Sequence, residues 1–243
     1  MSLELLILPL GFFVAAFCSG LAGFAFNLIA AGILFHFVAP QVLAPVLVMG
    51  SLVTQMVSLP HIWRAIRWRA LIPQMLAGVI GTPLGVLILG VADAKQVAVA
   101  VGILLVGYAG YALARIALRV APARFVAPAA ADNAIGFAAG ILGGIGGFSG
   151  ALPAIWTDAQ GLPKDQARAR IQPFVSVMQI VAGTSLALGG FFTRESGLMF
   201  LSALPALLLG TFLGLRAFRI IPAQGFRLVL LGLLLISGLS LLA

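Results

Sequence analysis

The chain has 243 residues, of which 62% are hydrophobic and only 8% are charged, and its mean hydropathy is +1.19. Soluble domains carry about 25% charged residues, so a soluble globular fold is excluded. The 14 Lys and Arg against 6 Asp and Glu do not point to nucleic acid, because they sit between apolar runs and no basic stripe with interleaved aromatics occurs.

From Leu5 to Trp63 there is no Asp, Glu, Lys or Arg. Met1-Ser-Leu-Glu4 offers an acid where a secretory leader carries bases, so this first stretch is expected to stay in the membrane domain. Further uncharged runs cover Ala70–Ala92, Gln96–Ala114, Asn133–Thr157, Ile171–Thr193, Ser196–Leu215 and Leu228–Ala243. About 20 apolar residues of helix cross a hydrocarbon core of about 30 Å, and these runs approach or reach that length. Only helices and closed barrels satisfy their backbone in lipid, and continuous runs without period-2 alternation select helices. An all-α polytopic membrane protein is therefore expected.

In chain order, the pattern predicts a glycine-broken hairpin over 3–38 and helices over 41–61, 70–90 and 95–117. Residues 119–131, rich in Pro and Ala, form a linker. A second hairpin over 132–158 and helices over 165–191, 196–217 and 223–243 follow. The two halves echo each other. Gly20-Leu-Ala-Gly-Phe24 returns as Gly144-Ile-Gly-Gly-Phe148, and Gly81-Thr-Pro-Leu-Gly85 returns as Gly210-Thr-Phe-Leu-Gly214. Gln55 returns as Gln179. Repeat 1 is thus 1–118 and repeat 2 is 132–243.

Cations mark the cytoplasmic face of membrane proteins. With each hairpin returning to the side it came from, Arg64, Arg67, Arg69, Arg115, Arg119 and Arg124 fall on one face. Lys164, Arg168, Arg170, Arg216, Arg219 and Arg227 join them, leaving only Lys95 and Arg194 opposite. This count makes the repeats inverted, with both termini outside. Each hairpin can be two half-length re-entrant helices or two thin, tilted spans; its length favours the short form in repeat 2.

Six glycines between Gly140 and Gly150 do not serve helix propensity, which each lowers by about 1 kcal/mol. They suit an unwound turn at membrane depth whose amides and following helix N-terminus face an anion; close helix packing is the plainer alternative. The Gly81/Gly85 and Gly210/Gly214 pairs read as packing seams. Gln55 and Gln179 either line a polar midplane site or hold helices together. Asn27 and Ser149 follow the glycine turns and are candidate donors, with Thr54, Ser58, Ser176 and Thr184 behind them. Arg168 and Arg170 either anchor a helix in the headgroups or draw anions to a cytoplasmic mouth. His36 and His61 read as interfacial anchors, and Cys18 as a small packing residue. No carboxylate falls mid-span, no His/Cys/Glu cluster suggests a metal, and no nucleophile–base pair suggests an enzyme.

Together with the duplicated glycine hairpins, Arg67-Trp-Arg-Ala-Leu-Ile-Pro73 and Gly161-Leu-Pro-Lys164 make the chain resemble the TauE/SafE family of sulfite exporter-type membrane permeases. The resemblance covers nearly the whole length, on degenerate glycine and loop patterns. It implies export or exchange of small sulfur-containing anions such as sulfite or organosulfonates. The resulting expectation is a secondary transporter of the bacterial inner membrane, neither an enzyme nor dependent on a cofactor or metal. Its partners would be the anion, the bilayer and a second copy as a homodimer. The candidate binding residues are Gly20, Gly23, Phe24, Asn27, Gln55, Gly146, Gly147, Ser149, Gly150 and Gln179, with Arg168 and Arg170 at the cytoplasmic mouth. An anion channel of the same architecture and a membrane assembly factor are the rival readings.

Overall fold

The computed structural model describes residues 4–119, 125, 127–218 and 223–242. Residues 120–124 and 126 of the linker, Arg219, both end residues and the side chains of Lys164 and Arg227 lie outside the described part. Every regular element described is helical. In the first half these are α1 (Glu4–Ala22), α2 (Phe26–Leu34), α3 (Pro40–Ser58), α4 (Trp68–Val91) and α5 (Ala94–Ala117). The second half gives α6 (Ala129–Gly146), α7 (Ala151–Ala159), α8 (Lys164–Leu188), α9 (Arg194–Phe218) and α10 (Ala223–Leu242). The protein is an all-α polytopic membrane protein: six described helices, among them α4, α5, α8 and α9, are long and apolar enough to cross a bilayer.

Local chemistry sets the helix ends. Pro40 opens α3, where its missing N–H costs nothing. Asp93 and Gln96 form a reciprocal capping box that starts α5. Gly190, with φ +75°, closes α8 in the left-handed region that glycine tolerates best.

The hairpins take neither of the two symmetric forms expected from the sequence. Each pairs a long arm with a short one: α1 has 19 residues and α6 has 18, whereas α2 and α7 have 9 each. At 1.5 Å per residue the long arms approach 28 Å and the short ones about 14 Å. The long arm nearly spans a hydrocarbon core and the short arm ends halfway.

Packing between the halves comes in matched pairs. Helix α1 lies against α9 and α6 against α4; α2 meets α10 and α7 meets α5; α3 meets α9 and α8 meets α4. The two first seams are backbone to backbone. A methyl at Gly81 or Gly85 would overlap the carbonyl oxygens of Phe137 and Ile141, and one at Gly210 or Gly214 those of Phe13 and Phe17. Close approach through small residues is how helices associate in lipid, where apolar area alone gives no drive. Residue numbers rise together along each seam, so α1 runs parallel to α9 and α6 parallel to α4. The largest apolar core joins α1, α2 and α3 to α5, α7 and α10, and includes the buried Phe12, Phe26 and Phe148.

Candidate transport site

Each hairpin turns on a glycine that L-residues replace poorly: Gly23 at φ +89° and Gly147 at φ +78°. The carbonyl of each is held by the glutamine of its own half. Gln55 Nε2 donates to Gly23 O at 3.1 Å and Gln179 Nε2 donates to Gly147 O at 2.8 Å, each bond spanning 32 residues of chain. Both glutamines are buried, and among the described residues the Oε1 of each has no hydrogen-bond partner. The two turns meet across the halves. Asn27 Nδ2, at the second position of α2, donates to Gly147 O at 2.5 Å. A Cβ at Gly150 would lie 2.9 Å from Phe24 Cβ.

The remaining candidates separate by role. Gly20 is a seam glycine, since a Cβ there would come within 2.7 Å of Thr211 O, and its own carbonyl accepts from Arg168 Nη2 at 3.1 Å. Gly146 makes room for the Phe148 ring of its own turn. The Phe24 ring packs edge-on against Tyr108 of α5 at 6.1 Å. Ser149 Oγ is buried, has no hydrogen-bond partner among the described residues and sits beside Gly143. Thr54, Ser176 and Thr184 bond back to carbonyls of their own helices. His36 and His61 are exposed.

Arg168 and Arg170, paired in the sequence reading, go to different places. Arg168 is buried, with its guanidinium against Gly20 and Gly23. Arg170 is bound on three sides: Nη2 pairs with Asp132 Oδ1 at 2.6 Å, Nε donates to Gln74 Oε1 at 3.2 Å, and Nη1 donates to Gln160 Oε1 at 3.1 Å. Trp156 Nε1 donates to the same Asp132 oxygen at 2.7 Å. Arg170 therefore ties the start of α8 to α4 and to both arms of the second hairpin. It borders a cleft of about 130 Å³ that also takes in Arg67 and Gln166. A second bridge, Arg115 Nη1 to Asp158 Oδ2 at 2.6 Å, joins the end of α5 to the end of α7. Together the two bridges gather the starts of α6 and α8 and the ends of α5 and α7 at one end of the bundle.

Sequence reasoning missed Gln172. It is fully buried, and among the described residues neither its Nε2 nor its Oε1 has a hydrogen-bond partner. A Cβ at Gly23 would fall 2.9 Å from its Nε2 and 3.2 Å from Arg168 Nε. The signal was present in the spacing, because Arg168 and Gln172 are one helical turn apart and share a face of α8. Among the described residues no group of His, Cys, Asp and Glu could hold a metal ion.

A match to the sulfite exporter TauE/SafE family covers residues 7–241. The chain belongs to this family. It is therefore a membrane transporter of the sulfite-exporter type, and the glycine turns lie within the matched region. No curated protein and no solved structure matches the chain. Nothing in the described residues supports the homodimer expected above.

Proposed function

We propose that this TauE/SafE member exports or exchanges a small sulfur-containing oxyanion, such as sulfite or an organosulfonate, by alternating access. The reading treats 1–118 and 132–243 as inverted repeats in a bacterial inner membrane, with both termini on the periplasmic side. The parallel seams α1–α9 and α4–α6 support it: α4 and α9 are five helices apart, so alternation makes them run oppositely, and as each runs parallel to the hairpin arm it packs on, α6 and α1 enter from opposite faces. The observation that carries the function is the paired clamp, Gln55 on Gly23 O and Gln179 on Gly147 O. Two broken helices held by equivalent amides, at the interface of two repeats, form the arrangement in which transporters bind substrate near the membrane midplane.

The chemistry favours an anion. Two short helices, α2 and α7, begin at the turns, and helix N-termini present N–H groups and a partial positive charge. Arg168 adds a buried cation beside the Gly20 and Gly23 backbone. The candidate residues are Gly20, Gly23, Phe24, Asn27, Gln55, Gly146, Gly147, Ser149, Gly150 and Gln179. Movement of one hairpin against the α3–α8 pair would open the turns to one face at a time.

Proteoliposome flux tests this. Uptake of labelled sulfite should saturate, and unlabelled sulfite on the far side should accelerate it. Flux that rises linearly with concentration and shows no counterflow would establish the channel instead.

A further inference from the structure

The two turns are built alike, yet their surroundings break the repeat at a few positions, and the breaks gather at one turn. The register that relates Gln55 to Gln179 relates Arg168 to Ala44 and Gln172 to Val48. On α3 those positions are apolar and buried in the core. On α8 they are a guanidinium and a primary amide, both directed at Gly23. The short helices differ in the same sense. Among the described residues no hydrogen-bond acceptor takes up the N–H groups of Phe26, Asn27 and Leu28 at the start of α2, and no side chain caps it. At the start of α7 the Ala151 N–H is used on Phe148 O at 3.2 Å, and Pro153 has none to give.

A fully buried amide with neither atom bonded among the described residues is costly, so a fold that keeps one has a use for it. We propose that the oxyanion is held off the symmetry axis, at the Gly23 turn, with Gln172 and Arg168 as its side-chain ligands and the α2 N-terminus as its backbone ligand. This rests on the oxyanion reading above and narrows it. Gln172 donates from Nε2 to one substrate oxygen and Arg168 supplies the countercharge. The Gly147 turn, whose carbonyl is doubly bonded, serves as the fixed partner.

The test is calorimetric titration of the purified full chain with sulfite and with ethanesulfonate, alongside its melting temperature without ligand. Gln172→Met, close in volume, should weaken sulfite binding about tenfold. It should leave the melting temperature unchanged or higher, because it removes an unpaired buried amide. Gln172→Glu should weaken binding more, by placing a like charge at the oxyanion. Ser149→Ala, at the other turn, should cost less than Gln172→Met. Unaltered affinity in Gln172→Met, a loss of melting temperature in step with affinity, or a larger loss in Ser149→Ala would each overturn the placement. If the native chain binds neither probe, the oxyanion reading fails and the placement falls with it.

Discussion

The Gly23 turn and the Gly147 turn have the same backbone corner and the same glutamine clamp, but opposite balances of bonded and unbonded groups. At Gly147 one carbonyl takes two side-chain donors, Asn27 and Gln179, and the helix that follows uses up its first N–H. At Gly23 one carbonyl takes one side-chain donor among the described residues, a guanidinium and an amide with no described partner lie against the turn, and the helix that follows starts without a side-chain cap. The two halves thus hold two like joints, one whose carbonyl is taken by two side-chain donors and one beside an amide with no partner among the described residues. The contrast can be attacked at three levels.

The largest effect belongs to what the halves still share. Gly85→Val and Gly214→Val should each push α4 off α6 or α9 off α1, because the added atoms fall on backbone carbonyls that have nowhere to go. About 3 kcal/mol or more is expected from each, seen as loss of folded, monodisperse protein in detergent. The two losses should be similar. One variant folding normally while the other fails would show that the seams are not equivalent.

How far the sequence led follows from the kind of force involved. Desolvating a backbone in lipid leaves helices as the answer to long uncharged runs, so the all-α class was legible from composition. The glycine repeats marked the seams and the turns. What the sequence hid was arm length: Gly20, Gly23, Gly143 and Gly147 all weaken a helix, and only the contacts of Gly20 with α9 and of Gly143 with Ser149 decide where the break falls. Arg168 and Arg170 looked alike because they are two residues apart. On a helix, however, that spacing turns the side chains to different faces, one towards Gly23 and one towards Asp132. Gln172 was hidden by chemistry, since a glutamine's value lies in bonds it has not yet made.

The second level is the corner itself. Alanine at a φ near +80° costs about 1–2 kcal/mol in strain at either turn. At Gly147 the added carbon also overlaps the Asn27 amide, which must give up its bond to Gly147 O. At Gly23 it meets the ends of Gln172 and Arg168, which are long enough to move. Gly147→Ala should therefore lower the melting temperature more than Gly23→Ala, by the equivalent of about 1 kcal/mol. Gly23→Ala should instead reduce sulfite affinity out of proportion to its stability loss. The reverse order in the melting data would mean that the Gly23 turn is the firm one.

The smallest effect concerns the two clamps and separates them by redundancy. Gln55→Leu removes the single side-chain donor that the described residues bring to Gly23 O, leaving a carbonyl in a dry interior at a cost of about 1–3 kcal/mol. Gln179→Leu leaves Asn27 still bonded to Gly147 O, so the loss should be nearer 0.5–1 kcal/mol. Both changes also delete a buried Oε1 without a partner, a gain that is equal on the two sides and cancels from the difference. The comparison of melting temperatures therefore isolates redundancy. Adding Asn27→Ala to Gln179→Leu should then cost more than the two single changes added together, because only the double variant strips Gly147 O of both donors. Strictly additive losses would show that the two amides do not share one carbonyl in the folded protein, and the firmness of the second turn would need another cause.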